Sequence, residues 1–151
     1  MTLRMWVAAT VVLACAASAA SAGRDRTMVI RLKSVTVSTS IRDLPPKGPS
    51  KGDVYTGRFR LLNVVRQFGL EVGAAVGTER SSLKLTSHTA AMVMGVVSLP
   101  GGTIVYRGEG SLGSSKPIPV VGGTGRFAGA RGTLAVGGGT SPLNTYRLTL
   151  P

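Results

Sequence analysis

The chain has 151 residues, and its 18 Lys and Arg against 6 Asp and Glu give a formal net charge of +12 at pH 7. This length suits a single domain. The positive charge favours anionic partners, among them cell-wall polymers. Only 5% of residues are aromatic, and the basic residues are scattered rather than interleaved with stacking rings. This pattern argues against a specific nucleic-acid partner and favours a solvated basic surface.

Residues 1–22 have the pattern of a secretory signal peptide. A positive residue, a short apolar run and a small-residue cleavage site follow one another at Arg4, Met5–Ala14 and Ala20–Ala22. The folded domain is therefore predicted to cover residues 23–151, and the protein to be secreted. Cys15 leaves a less favoured alternative, a lipoprotein anchored through that residue. Cleavage after Ala22 would leave no cysteine in the mature chain, which excludes thiol nucleophiles and cysteine metal ligands.

Alternation of apolar and polar residues dominates the rest of the chain, and no segment has a helical period. A strand is predicted at residues 27–38, followed by a loop rich in Pro and Gly at residues 45–52. The cleanest alternation runs from Phe68 to Val76. Further strands are predicted at 55–61, 83–88, 92–99, 104–112, 118–121, 127–136 and 146–150. Short, evenly spaced strands separated by Gly and Pro indicate an antiparallel barrel or sandwich, and the 21 glycines favour the barrel.

Three motifs occur in a characteristic order along residues 26–151. Lys51-Gly52-Asp53 opens an aromatic strand, Leu99–Ile104 contains a P-G-G turn, and residues 122–132 read G-G-T-G-R-F-x-x-A-R-G. This set resembles the dirigent proteins and their relatives with the allene oxide cyclase type of barrel. The resemblance implies a closed eight-stranded antiparallel β-barrel with a central cavity, often assembled as a homotrimer. It also implies a small apolar or phenolic ligand, with no cofactor and no metal.

The family's chemistry divides into binding and ring closure. Dirigent proteins hold phenoxy radicals for coupling without oxidising them, whereas cyclase relatives act on epoxides or quinone methides. The acid that the family places before the Gly-rich turn is missing, because Ser114–Pro119 contains none and no acid follows Glu109. This departure favours a ligand-binding module over a cyclase or isomerase, and the enzyme question stays open with binding preferred. A basic, wall-associated protein is the third alternative.

Arg131, Tyr55 and Phe127 are the predicted ligand-binding residues. Arg131 matches the Arg of the A-R-G motif, and we expect it to line or brace the cavity. A buried guanidinium needs a partner, and Asp53 or Glu109 could supply the carboxylate. A purely structural role for Arg131 at the barrel seam fits the sequence equally well.

Other chemistry-bearing residues give weaker signals. His88 is the single histidine, so the sequence assigns it to no catalytic triad and no zinc site. It is expected at a strand edge or on the surface. Glu71 and Glu79 would lie roughly 26 Å apart on one straight strand, too far to flank a glycosidic bond. Met92 and Met94 share a parity and are expected in the core or lining the cavity.

Overall fold

The computed structural model describes residues 25–111, 116–137 and 142–151. Eight antiparallel strands, each paired with its neighbours in chain order, close into one barrel, as the sequence predicted. The strands are β1 Arg26–Arg42, β2 Val54–Asn63, β3 Ala75–Leu85, β4 Ala90–Leu99, β5 Gly102–Ser111, β6 Ile118–Gly123, β7 Arg131–Val136 and β8 Leu143–Leu150. A short 3-10 helix, Gly125–Phe127, precedes β7. The predicted signal peptide, with Cys15, lies outside the described residues.

Because consecutive strands are antiparallel, their connections alternate between the two ends of the barrel. We call one end the base; residues 64–74, 100–101 and 124–130 make its connections. The opposite end is the rim, where residues 43–53 join β1 to β2 and residues 86–89 join β3 to β4. The interior cavity is lined by residues toward the rim, among them Ile41 and Tyr55.

The core fills the barrel interior from alternate positions on the strands. On β1, Ile30 and Leu32 are buried while Arg31 and Lys33 are exposed, which is the period of two that the sequence shows. The large apolar side chains that are almost fully buried are Ile30, Leu32, Leu61, Leu85, Val97, Ile104, Phe127, Leu134 and Tyr146. Burial of this apolar area is the main stabilising contribution to the closed barrel.

The predicted strand from Phe68 to Val76 is wrong for all but its last two residues, which begin β3. Residues 64–74 form the loop between β2 and β3, and Phe68 has φ +58°, which no strand residue adopts. The buried side chain of Asn63 holds this loop, since its Nδ2 donates to the carbonyl oxygens of Gln67 at 3.0 Å and Leu70 at 3.2 Å. The alternation was misleading because Leu70 and Val72 do not face the core; they are 38% and 63% exposed.

The two glycine motifs interlock at the base. A Cβ on Gly102 would lie 2.0 Å from the carbonyl oxygen of Thr124, so only glycine permits this approach. Thr124 N–H donates to the carbonyl of Thr103 at 2.9 Å, and Arg126 N–H donates to that of Gly101 at 2.8 Å. The P-G-G turn and the G-G-T-G segment therefore close the base of the barrel together.

Candidate functional site

A cavity of about 430 Å³ lies inside the barrel on the rim side. Tyr55 stands directly across from Ile41 on β1 and Leu83 on β3, and all three side chains face it. The further apolar side chains in its lining are Phe59, Val93, Ile118, Val136 and Pro142. Its volume is within the range of small-molecule sites, about 300–1,000 Å³.

A polar cluster lines this apolar cavity, and we call it the Glu79 cluster: Ser34, Glu79, Tyr106 and Asn144. All four residues are at most 5% exposed. The Tyr106 hydroxyl donates to Glu79 Oε1. Asn144 Nδ2 donates to Glu79 Oε2 at 3.3 Å and to Ser34 Oγ at 2.9 Å. Four residues from β1, β3, β5 and β8, distant in sequence, thus meet around one carboxyl group.

The local sequence makes room for this arrangement. Gly95 on β4 lies directly opposite Tyr106 on β5. A Cβ on Gly95 would lie 2.3 Å from the Tyr106 ring and hydroxyl, so the ring occupies the space that a larger residue would fill. Glu79 faces the same interior because it pairs with the fully buried Val97.

Burial controls the protonation of the cluster. It raises the pKa of Glu79, while the hydrogen bonds from Tyr106 and Asn144 lower that pKa in part. Burial, together with the charge of Glu79, also raises the pKa of Tyr106 and of the neighbouring Tyr146, so both phenols stay protonated. Glu79 therefore holds its proton to higher pH than an exposed glutamate does.

Two buried polar atoms have no hydrogen-bond partner within the described parts of the chain, Asn144 Oδ1 and the Tyr146 hydroxyl. An unsatisfied buried group costs about 1–3 kcal/mol. Asn144 also lines the cavity.

The three predicted ligand-binding residues separate in space. Tyr55 lines the cavity. Phe127 is 0% exposed, packs in the core and takes no part in the cavity lining. Arg131 is exposed, and its Nη1 donates to the carbonyl oxygens of Val121 and Ala130, both at 2.9 Å. Arg131 was expected inside the barrel, and the structure corrects this to the outer wall. The expected alternation with Phe127 is broken, because Phe127 belongs to the 3-10 helix and β7 begins only at Arg131.

Asp53 does not serve as the partner of Arg131. Its carboxylate is 1% exposed and accepts the N–H groups of Leu44 and Ser50, each at 2.8 Å. These backbone hydrogen bonds lower the pKa of Asp53. The carboxylate therefore organises the rim loop of residues 43–53. Glu109 is exposed on β5.

Solved structures with the same architecture include a pyocyanin demethylase, with a TM-score of 0.67, 22% identity and coverage of 82% of this chain and 100% of that one. A pterocarpan synthase dirigent protein has a TM-score of 0.64 and 15% identity, covering 94% of this chain and 98% of that one. A third structure is a nonspecific heme-binding cyclase that catalyses a [4 + 2] cycloaddition in neoabyssomicin biosynthesis. It has a TM-score of 0.66 and 19% identity, covering 85% of this chain and 68% of that one. This chain has the dirigent-type barrel fold. No protein-family profile and no curated protein matches the sequence.

In this dirigent-type barrel the sequence reasoning missed Glu79. The signal was present, because Glu79 shares its parity with Leu83 and Leu85, which were predicted to start a strand. Extending that strand toward its N-terminus would have placed the carboxyl inside. Glu71 and Glu79 are also not on one strand, since Glu71 lies in the base loop and pairs with Arg66 at 2.9 Å.

A metal centre and a membrane-spanning helix are two further features to consider in the described residues. No three His, Cys, Asp or Glu side chains lie together there as a metal ion would require. His88 is exposed, and its Nδ1 donates to the carbonyl of Pro49 at 2.9 Å. Within residues 25–111, 116–137 and 142–151, no helix has the length and apolar character needed to cross a bilayer.

Proposed function

We propose that the barrel binds a small, largely apolar or phenolic molecule in its rim-side cavity, with one oxygen of the ligand against the Glu79 cluster. The observation that carries this proposal is a buried, protonatable carboxyl in the lining of an otherwise mostly apolar cavity. Apolar walls supply most of the binding free energy, and a few fixed polar groups orient the ligand. A phenol suits the cluster because its hydroxyl both donates and accepts, and the lining offers the hydroxyl groups of Ser34 and Tyr106 beside the Glu79 carboxyl.

Titration with 2-naphthol, followed by its fluorescence, tests the proposal, with naphthalene as the probe that lacks the hydroxyl. We expect saturable binding that Leu83→Trp weakens at least about tenfold by filling the cavity, equal to about 1.4 kcal/mol. Val72→Trp is the matched control, because it adds the same side chain at an exposed position in the base loop. Equal affinities for 2-naphthol in both variants, with folding verified by circular dichroism, would rule out the interior site.

A second candidate function is cyclisation or isomerisation of an epoxide or quinone methide, and the raised pKa of Glu79 favours it. A general acid must still carry its proton at the working pH. The Glu79 carboxyl would transfer its proton to the epoxide or carbonyl oxygen, and the resulting carboxylate would accept hydrogen bonds from Tyr106 and Asn144. The acid that was missing before the Gly-rich turn is thus replaced by one from β3.

Turnover of a stable quinone methide distinguishes binding from catalysis. With Glu79 as general acid, Glu79→Gln should lower kcat by about 10²–10⁴-fold while 2-naphthol still binds, and wild-type activity should fall as pH rises through the pKa of Glu79. Equal turnover by wild type and Glu79→Gln would leave a binding protein only. Export by residues 1–22 stays a prediction, which N-terminal sequencing of protein recovered from the culture medium would check.

A further inference from the structure

A second concavity, of about 790 Å³, crosses the outer wall of the barrel from β1 to β6. We call it the outer groove, and its principal outward-facing residues are Arg58, Arg80, Met94, Val96, Val105 and Arg107. These positions alternate with interior residues such as Glu79 and Tyr106, which places them on the opposite face of the same strands. Met94 therefore belongs to the outer wall, and its expected place in the core or cavity is corrected.

The outer groove has a polar half and an apolar half. On β2 and β3, Arg58 and Arg80 stand directly opposite one another, beside hydroxyl side chains of the same strands. On β4 and β5, Val96 and Val105 are directly opposite, and Val96 is 43% exposed; Arg107, opposite Met94, lies at the edge of this apolar half. Because Arg80 also pairs with Val96, the cationic half continues into the apolar half without interruption. The groove is therefore amphipathic across the strands.

The cations of the outer groove are uncompensated. Neither Arg58, Arg80 nor Arg107 has a carboxylate within salt-bridge distance among the described residues, and no acid is present in the lining. Like charges directly opposite on neighbouring strands destabilise the pair. An anion placed between Arg58 and Arg80 would relieve this repulsion and bind two guanidinium groups, each of which can hold a carboxylate or phosphate through two hydrogen bonds.

We propose that the outer groove binds a single anionic amphiphile, a carboxylate or phosphate head joined to an apolar chain. The head lies on Arg58 and Arg80, and the chain crosses Val96 and Val105. Two strand spacings separate β3 from β5, roughly 10 Å, so a chain of medium length reaches across the apolar half. A free monomer fits better than a bilayer surface, because the site is concave and its apolar residues line the hollow. This proposal does not depend on the proposed function of the interior cavity, although the two linings share strand residues such as Thr56, Ser81 and Tyr106.

Methyl NMR of the methionines tests this site directly, with dodecanoate below its micelle concentration as the probe. Met94 lies in the outer groove, whereas Met28 packs against the core and serves as the internal control. We expect saturable shifts of the Met94 methyl signal while the Met28 signal stays unchanged. Dodecanol, which has the chain without the charge, and butyrate, which has the charge with a short chain, should each bind at least about tenfold more weakly.

The double variant Arg58→Gln/Arg80→Gln should raise the Kd of dodecanoate at least about tenfold, since hydrogen bonds to charged groups are the stronger class. Arg147→Gln, on the outer face of β8, is the matched control and should leave the Kd unchanged. An unchanged Kd in the double variant, or shifts confined to Met28, would overturn the proposal. So would binding only to vesicles of anionic phospholipid. A homotrimer that buries Met94, detected by light scattering with concentration-dependent Met94 shifts, would also overturn it.

Discussion

Replacing Tyr106 with Phe would test the Glu79 cluster with little disturbance, because Phe keeps the ring beside Gly95 and removes only the hydroxyl. That hydroxyl and the Asn144 amide are the two side-chain donors to Glu79 among the described residues. A hydrogen bond to a charged group contributes about 1.5–3 kcal/mol, and a neutral one about 0.5–1.5 kcal/mol. Tyr106→Phe should therefore lower the free energy of unfolding by the larger amount where Glu79 is ionised and by the smaller amount where it is protonated.

The pH dependence gives the sign of this effect. Because burial raises the pKa of Glu79 above its ordinary value of 4.5, its contribution to stability is full below that value and is lost as pH rises through the folded pKa. Tyr106→Phe removes a donor that lowers the pKa of Glu79, so in the variant the loss of stability with rising pH should extend to higher pH. Urea unfolding of both proteins at about pH 4 and about pH 9 measures the difference. Equal losses at both pH values would refute the bond to an ionisable Glu79.

Three further predictions concern the frame around the site. Gly132→Ala should lower the free energy of unfolding by at least about 3 kcal/mol, because φ is +139° and the new Cβ would lie 1.9 Å from the Arg147 carbonyl oxygen. Gly48→Ala, with open space around the residue, should lower it by about 1 kcal/mol in the same urea assay. Asp53 stabilises the fold above its ordinary pKa of 3.8, and this stability is lost as pH falls through its lowered pKa, so Asp53→Asn should flatten the acid limb of the stability profile. Arg131→Leu should change stability by about 1 kcal/mol or less and leave the affinity for 2-naphthol unchanged; a loss of about 3–5 kcal/mol would instead indicate a buried ion pair.

The strands were predictable because they carry a local signal, whereas their closure into an eight-stranded barrel was implied by the family resemblance of the glycine motifs. Alternation on β1 and β5 records which side chains face the interior, and glycine-rich turns mark where strands end. The base loop shows the limit of this signal. Its residues alternate like a strand, yet the Asn63 side chain satisfies their carbonyl groups, and no local pattern encodes a hydrogen bond from one buried amide.

The candidate site was only partly predictable for a related reason. Tyr55 could be placed on the interior face from its alternation, and the structure puts it in the cavity lining. Arg131 was assigned from a motif whose glycines mainly serve close backbone packing at the base, so its position said little about the ligand. Glu79 finds its partners on β5 and β8 through closure of the barrel, which brings together residues 27 and 65 positions apart in the chain.

The separation of base and rim makes this barrel suited to redesign. The interlocked turns at Gly101–Gly102 and Thr124–Gly125 fix the fold at one end, while Ile41 and Tyr55 shape the opening at the other. Ile41 is 62% exposed, so replacing it sacrifices little buried surface. A library that varies rim positions alone could therefore search for new ligands while every member keeps the same interlocked turns at the base. Substitutions at the base would then affect folding, and substitutions at the rim would affect ligand recognition.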